Sequence, residues 1–178
     1  MTPFGIFVPQ EDDLWLYMAR SKVTSDFIVD RLEQWWREVR LRFLSVKTLV
    51  INLDNGPENH SHRTQFLKRI VAFAREYGLR VQLAHDPPYH SKYNPIERCW
   101  GILEQHWNGT LLDSLDAVLG FAATMTWKGR RPQVAGVTTT YERGVTLTKA
   151  AMADVEAHLS RHATLGKWFI DIHPPRDN

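Results

Sequence analysis

The chain has 178 residues, of which 43% are hydrophobic and 24% charged, so it is long and apolar enough to fold and is not a disordered tail. Its formal net charge of +2 fits a nucleic-acid partner without arguing for one. A single cysteine, Cys99, excludes an internal disulfide, and no apolar run approaches the roughly 20 residues of a membrane helix. We therefore expect a cytoplasmic protein with one main domain and no membrane partner.

The beginning of the chain predicts a hairpin followed by a helix. Two apolar runs, residues 4–8 and 14–18, flank an acidic segment at residues 11–13, which we interpret as a solvated turn. Thr24 or Ser25 can cap the helix that follows. One face of this helix is apolar and is expected to be buried: Ile28, Leu32, Trp35, Trp36 and Val39.

The next segments alternate between strand and helix. In the segment over residues 47–53, every residue after Lys47 and Thr48 is apolar except Asn52, which predicts a central strand covered on both faces. A helical pattern over residues 63–77 ends at Gly78, and a short strand follows over residues 80–84. This alternation predicts an α/β sheet, in which functional groups gather at the carboxyl ends of strands. Asp54 lies at such an end.

The second half of the chain is mainly helical by its pattern. Asn94-Pro95 begins a third helix, with proline in the first turn, and Asn108-Gly109 ends it. We expect further helices over residues 112–125 and 149–162, joined by a basic connection rich in glycine and threonine over residues 128–144. The segment from Lys167 onward is expected to be a strand or an arm.

Asp54 and Glu97 are the candidate catalytic acids. A carboxylate that ends a buried strand faces a loop-lined crevice, and Mg²⁺ prefers such hard oxygen ligands. Two ions held between carboxylates can activate a water or a 3′-hydroxyl for in-line attack on phosphorus. Asn94 and Glu97 also have the spacing of a helix capping box, so the residues alone leave open that both acids serve only as cap and surface groups.

The sequence motifs around the two acids resemble those of a known protein family. The run Leu49-Val50-Ile51-Asn52-Leu53-Asp54-Asn55-Gly56 and the later run from Pro87 through Asn94-Pro95-Ile96-Glu97 resemble the second Asp and the final Glu of DDE transposases. The proline-tyrosine loop is similar to that of mariner- and Tc-type enzymes. The wider pattern resembles the ISAzo-type insertion-sequence transposases, or Rhodopirellula transposase DDE domain, over residues 4–157. Its further motifs are Gly5-Ile6-Phe7, Trp35-Trp36, Trp107-Asn108-Gly109 and Thr139-Thr140-Tyr141-x-x-Gly144.

This resemblance implies an RNase H-like integrase and transposase core that cuts and rejoins DNA at a two-metal site of Mg²⁺ or Mn²⁺. Asp54 would be the second acid and Glu97 the third, both as metal ligands. Four neighbouring polar residues could line the site: Asn55, His90, Lys92 and Asn94. We expect the catalytic domain with its C-terminal helices to occupy residues 1–165, followed by a tail at residues 166–178.

The first Asp of the triad has no counterpart in this sequence. The resemblance places it on a central strand between the hairpin and the strand that ends at Asp54, so we expect the sheet to lack that strand. Other acids are poor replacements, because they belong to a turn, a helix start or the segment before the proline loop: Glu11, Asp12, Asp13, Asp26 and Asp86.

Two hypotheses about activity follow. The chain could be active with a strand from a second polypeptide, or as part of a homo-oligomer, acting on transposon ends and target DNA. Alternatively, it could be a truncated and inactive remnant that binds only DNA or a full-length transposase. The basic residues Lys128, Arg130 and Arg131 are the candidate DNA contacts under this second hypothesis.

Overall fold

The structure is a computed structural model that describes residues 1–87, 94–109 and 113–174. Two compact units make up the chain, and each contains two chain segments. The first unit comprises Met1–Val23 and Lys92–Tyr141, and the second comprises Thr24–Ser91 and Glu142–Asn178. The elements in chain order are β1 (Thr2–Val8), β2 (Asp13–Ala19), α1 (Ser25–Val39), β3 (Thr48–Leu53), α2 (Thr64–Tyr77), β4 (Arg80–His85), α3 (Pro95–Trp107), α4 (Leu115–Thr124), β5 (Gln133–Val137), α5 (Lys149–Glu156), β6 (Leu159–Arg161) and β7 (Phe169–Ile172).

The first unit contains a mixed three-stranded sheet with the order β1-β2-β5. The predicted hairpin is confirmed: β1 and β2 are antiparallel, with Phe4 opposite Tyr17. Strand β5 lies parallel to β2 and places Ala135 beside Tyr17. The basic connection predicted over residues 128–144 therefore contains a strand that the sequence pattern did not indicate. Pairing with a central strand determines the conformation of β5, although its sequence has few bulky residues.

The core of the first unit forms where α3 and α4 pack against β2. Buried residues from these elements form one apolar cluster that includes Leu14, Leu16, Met18, Cys99, Leu103, Val118, Ala122 and Met125. Small residues allow the close approach of helix and sheet. A Cβ atom at Gly136 would lie 3.2 Å from both Leu115 and Leu119 of α4. Each of the two helices buries one apolar face in this cluster.

The second unit contains a mixed four-stranded sheet with the order β3-β4-β7-β6. Strands β3 and β4 are parallel, with Ile51 beside Leu83, whereas β7 is antiparallel to β4. One face of this sheet carries the buried side chains: Leu53, Val81, Leu83, Ile170 and Ile172. Helix α2 packs against β4, and α1 packs against α2. Both helices have the predicted positions, and the Thr24 side chain caps α1 by accepting a hydrogen bond from the Phe27 amide.

Strand β3 differs from its prediction. It was expected to be a central strand covered on both faces, but among the described residues it has a neighbouring strand on one side only, β4. Its outward side chains are exposed, and Val50 retains 57% of its accessible surface. An apolar sequence therefore identified the strand correctly but not its place in the sheet.

The C-terminal segment also differs from its prediction. Helix α5 ends at Glu156 instead of continuing to residue 162, and β6 follows almost at once. Antiparallel pairing of β6 with β7, in which Ser160 lies opposite Asp171, replaces the helical hydrogen bonds that the pattern predicted. Strand β7 confirms the predicted strand after Lys167 and forms an inner strand of the sheet, not a separate arm.

Candidate active site

Asp54 directly follows β3 and organises the loop that comes next. Its Oδ1 atom accepts hydrogen bonds from the Gly56 amide at 3.2 Å and from Asn59 Nδ2 at 2.8 Å. Asn55 has a φ angle of 58°, in the left-handed region that asparagine tolerates better than most residues. One oxygen of the exposed Asp54 carboxylate is therefore fixed by the loop. The other oxygen, Oδ2, has no hydrogen-bond partner among the described residues.

Glu58 ties this loop to the start of α1. Its Oε2 atom accepts hydrogen bonds from the Ser25 amide at 3.2 Å and from Arg63 Nη2 at 2.9 Å. Burial alone raises the pKa of Glu58, but the hydrogen bonds from Arg63 and Ser25 outweigh it, so the pKa lies below its ordinary value. The Glu58 carboxylate is thus ionised at neutral pH, and it holds the Asp54 loop against the body of the second unit.

His85 supports the same loop from β4. It is only 3% exposed, and its Nε2 atom donates to the Asn59 carbonyl at 3.0 Å. Burial lowers the pKa of His85, so the ring is neutral at neutral pH. Because Nε2 carries the proton, Nδ1 is the unprotonated nitrogen and can only accept a hydrogen bond. Nδ1 has no hydrogen-bond partner among the described residues. No sequence pattern selects His85, because a lone histidine in a strand is usually a packed core residue.

Glu97 lies in the first turn of α3, in the first unit. Asn94 is the N-cap, as predicted, and its Oδ1 atom accepts from the Ile96 amide at 3.4 Å. The Glu97 amide is itself bonded to the Asn94 carbonyl at 3.1 Å, and the Glu97 side chain is half-buried. His90 and Lys92, which we also predicted to line the site, lie outside the described residues.

The predicted DNA-contacting residues form a turn next to the acidic segment of the first unit. Lys128 Nζ lies 2.9 Å from Asp12, and Arg130 Nη1 lies 2.7 Å from Asp13. The hydrogen bond from Lys128 lowers the pKa of Asp12. Two of the three cations are thus ion-paired within the unit, whereas Arg131 is exposed. A role for this turn in DNA binding stays a prediction.

The chemistry of the Asp54 loop fits a hard divalent cation. Asp54 has one carboxylate oxygen bonded to its own loop and a second oxygen that is exposed. Mg²⁺ takes exposed carboxylate oxygens of this kind as ligands, together with several waters. Within the described ranges, no cluster of three or more His, Cys, Asp and Glu side chains could hold a metal ion. Among these residues, Asp54 has one carboxylate oxygen held by its loop and one without a hydrogen-bond partner.

Comparison with known protein families agrees with the two acidic motifs. The family model of the Rhodopirellula transposase DDE domain matches residues 1–174. The chain belongs to this family. The match confirms the family that the residues around Asp54 and Glu97 predicted, and it extends the similarity of this transposase domain through β7. DDE transposases use divalent metals and bind DNA.

Two further comparisons gave nothing for this transposase domain: neither the curated proteins nor the solved structures contain a match. Its fold is therefore described from its own elements, a mixed α/β arrangement with two mixed sheets. None of the helices in the described parts of the chain is long and apolar enough to cross a membrane.

Proposed function

We propose that this chain is the catalytic domain of a DDE transposase that cuts and joins DNA by metal-dependent phosphoryl transfer. The observation that carries the proposal is the position of Asp54 and the hydrogen bonding of its carboxylate. It ends a parallel strand, one of its oxygens is fixed by Gly56 and Asn59, and the other is open to a ligand. Membership of a transposase family supplies the reaction class, and an RNase H-like arrangement is part of the same proposal.

In this proposal, Asp54 and Glu97 are two carboxylate ligands of the catalytic metal. Mg²⁺ or Mn²⁺ held there would polarise a phosphodiester and activate a water or a 3′-hydroxyl for in-line attack. The part of this chain is to orient the ligands: the Asn59 amide and Gly56 N–H fix Asp54, and the Asn94 cap sets the first turn that carries Glu97.

We also propose that the active assembly includes a strand from a second polypeptide. Two strands support this idea, because β1 and β3 each lie at an edge of their own sheet. The sequence of β3, Thr48-Leu-Val-Ile-Asn-Leu53, contains no charge or proline of the kind that normally protects an exposed edge. The same strand would be the natural source of a third acid, and DNA would be the substrate of the completed site.

Metal binding can be tested without DNA by measuring thermal unfolding with increasing Mn²⁺. A cation that binds only the folded chain stabilises it by about 2.7 kcal/mol at 100 times the Kd. For a chain of this length, that corresponds to a rise in Tm of roughly 5–10 °C. Asp54→Asn retains an oxygen that can accept from Gly56 and Asn59 but removes the charge, so we expect it to abolish the rise.

A matched control is Asp154→Asn, which removes an exposed acid on α5 in the same unit. This variant should keep the full metal response. If Asp54→Asn and Asp154→Asn respond to Mn²⁺ like the unmodified chain, Asp54 is not a metal ligand and the proposed chemistry is wrong. Glu97→Gln extends the test, and we expect it to weaken the response.

A further inference from the structure

A groove lined mainly by polar residues lies beside the Asp54 loop, within the second unit. Its volume is about 480 Å³, within the range of roughly 300–1,000 Å³ that is typical of small-ligand sites. One wall is the loop that follows β3, and the other is the turn between β6 and β7. The lining residues are Asn55, His60, Ser61, His62, Lys167 and Trp168.

Among the described residues that line the groove, there are hydrogen-bond donors and an aromatic ring but no carboxylate. Lys167 is exposed and carries the positive charge of the groove. His60 Nδ1 accepts from the His62 amide at 3.2 Å, so the neutral ring of His60 presents its Nε2 proton as a donor. Burial is the largest effect on His60 and lowers its pKa, which favours this neutral form. These groups suit the oxygens of a phosphate.

Two features of the groove suit the rest of a nucleotide. Asn55 also lines the groove, and its Oδ1 atom is buried without a hydrogen-bond partner among the described residues. The Trp168 ring is half-buried, and its backbone is fixed because the Trp168 carbonyl accepts from the His85 amide at 2.8 Å. The accessible part of this aromatic ring can stack on a base.

We propose that this groove binds one unpaired nucleotide of the DNA strand that is processed next to Asp54. Lys167 contacts a phosphate, and Trp168 stacks on the base. A base inside a duplex has both faces covered, so only a single-stranded or extruded nucleotide can use the ring. The inference rests on the proposed function for its choice of DNA, and it adds a binding site for the strand that undergoes reaction.

The experiment measures the binding of fluorescein-labelled oligothymidylate by fluorescence anisotropy, in EDTA so that no metal contributes. Stacking on an aromatic ring is worth about 1–3 kcal/mol per base, so Trp168→Ala should weaken binding about 5- to 150-fold. Binding to a duplex of equal length should not change. Trp168→Phe retains a stacking ring and should bind nearly as well as the unmodified chain, provided that its thermal unfolding is normal.

Lys167 is tested through the salt dependence of the same binding. One phosphate contact to a single strand contributes about 0.7 to the slope of log K against log salt, so Lys167→Gln should lower the slope by about that amount. Matched controls are Phe169→Ala, which removes the next aromatic ring outside the groove, and Lys68→Ala, which removes an exposed cation on α2. Neither control should change the affinity or the slope.

The possible outcomes separate this inference from the proposed function. If Trp168→Ala binds single strands like Phe169→Ala, or if the unmodified chain does not bind them, the groove is not a nucleotide site. The metal response of Asp54 is measured without DNA and stands or falls independently. Loss of that response, together with Trp168-dependent binding, would leave the groove intact and remove the proposed metal chemistry.

Discussion

The effect of Gly5→Ala on the free energy of unfolding depends on how closely α3 packs against Gly5 of β1. A Cβ atom at Gly5 would lie 2.8 Å from Trp100 Cη2 and 3.0 Å from Ile96 Cδ1, closer than ordinary van der Waals contact. In Gly5→Ala, overpacking of this kind costs about 1–3 kcal/mol. Relief of the entropic penalty of glycine in a strand offsets about 0.5–1 kcal/mol. On balance, we expect Gly5→Ala to lower the free energy of unfolding by about 1 kcal/mol.

Gly101→Ala is the matched control, because it makes the same chemical change on α3 itself. No heavy atom lies within 4 Å of the position of a Cβ atom at Gly101, so only the gain in helix propensity applies. This variant should be more stable by about 0.5–1 kcal/mol. We thus predict that Gly5→Ala lowers the free energy of unfolding and that Gly101→Ala raises it.

Urea denaturation followed by tryptophan fluorescence measures both variants, and the chain has seven tryptophans to report on unfolding. If both substitutions stabilise the chain equally, the close packing of Trp100 on Gly5 is refuted. Because Glu97 lies between Ile96 and Trp100 on α3, a shift of this helix in Gly5→Ala should also weaken a metal response that depends on Glu97.

Three further predictions concern a histidine, the cysteine and the exposed edge strand. Burial lowers the pKa of His85 in the folded chain below the ordinary imidazole pKa of about 6.5. The neutral His85 ring therefore contributes its full stabilisation above that ordinary pKa, and the stabilisation is lost as the pH falls through the lower pKa of the folded chain. Thermal unfolding between pH 7.5 and 5 should therefore show a smaller loss of Tm in His85→Gln than in the unmodified chain. Burial raises the pKa of the Cys99 thiol to about 11, so iodoacetamide at pH 8 should label it only as fast as the chain unfolds. Val50→Lys places a charge on the exposed edge strand β3 and should reduce self-association, measured by light scattering over a range of concentrations.

Each of these predictions has an outcome that contradicts it. An equal loss of Tm in His85→Gln and the unmodified chain would mean that another group causes the acid sensitivity. Labelling of Cys99 in native buffer at the rate of a free thiol would contradict its burial. Leu41→Lys, at a residue that is 75% exposed outside any strand, should leave self-association unchanged. An equal effect of Val50→Lys and Leu41→Lys would show that general surface charge is responsible.

Local patterns in the sequence predicted the helices and the hairpin well. The Thr24 cap, the apolar face of α1 and the Gly78 end of α2 all depend on interactions within a few residues, which a sequence shows directly. Gly78 has a φ angle of 63°, as expected of a glycine that ends a helix.

The errors all concern the pairing of strands, which the residues of one strand do not show. Strand β3 reads as a central strand because Leu49, Val50 and Ile51 are apolar, but the number of its neighbours depends on other strands. The sequence does not indicate strand β5, because its conformation comes from pairing with β2, more than 100 positions earlier in the chain. The pattern over residues 149–162 predicts a helix that includes β6, because the partner of this strand, β7, cannot be identified from these residues alone.

The candidate site was predictable to a similar extent. Asp54 and Glu97 were found because their neighbouring residues form recognisable motifs. The support from Asn59, His85 and Glu58 was not found, since hydrogen bonds to a loop leave no periodic signal in a sequence. Lys167 and Trp168 were placed in a terminal segment, and only the turn between β6 and β7 brings them beside Asn55.

The interleaving of the two units has a consequence for how the chain reaches its folded state. Strand β2 pairs with β5, and β4 pairs with β7, and in each pair the second strand is synthesised much later than the first. Neither sheet can therefore be completed until most of the chain has left the ribosome. Contacts of such long sequence separation slow folding, and they leave β2 and β4 with unsatisfied edges during synthesis. We expect the nascent chain to depend on chaperones, and removal of β7 from the C-terminus to impair folding of a segment that begins more than 80 residues earlier.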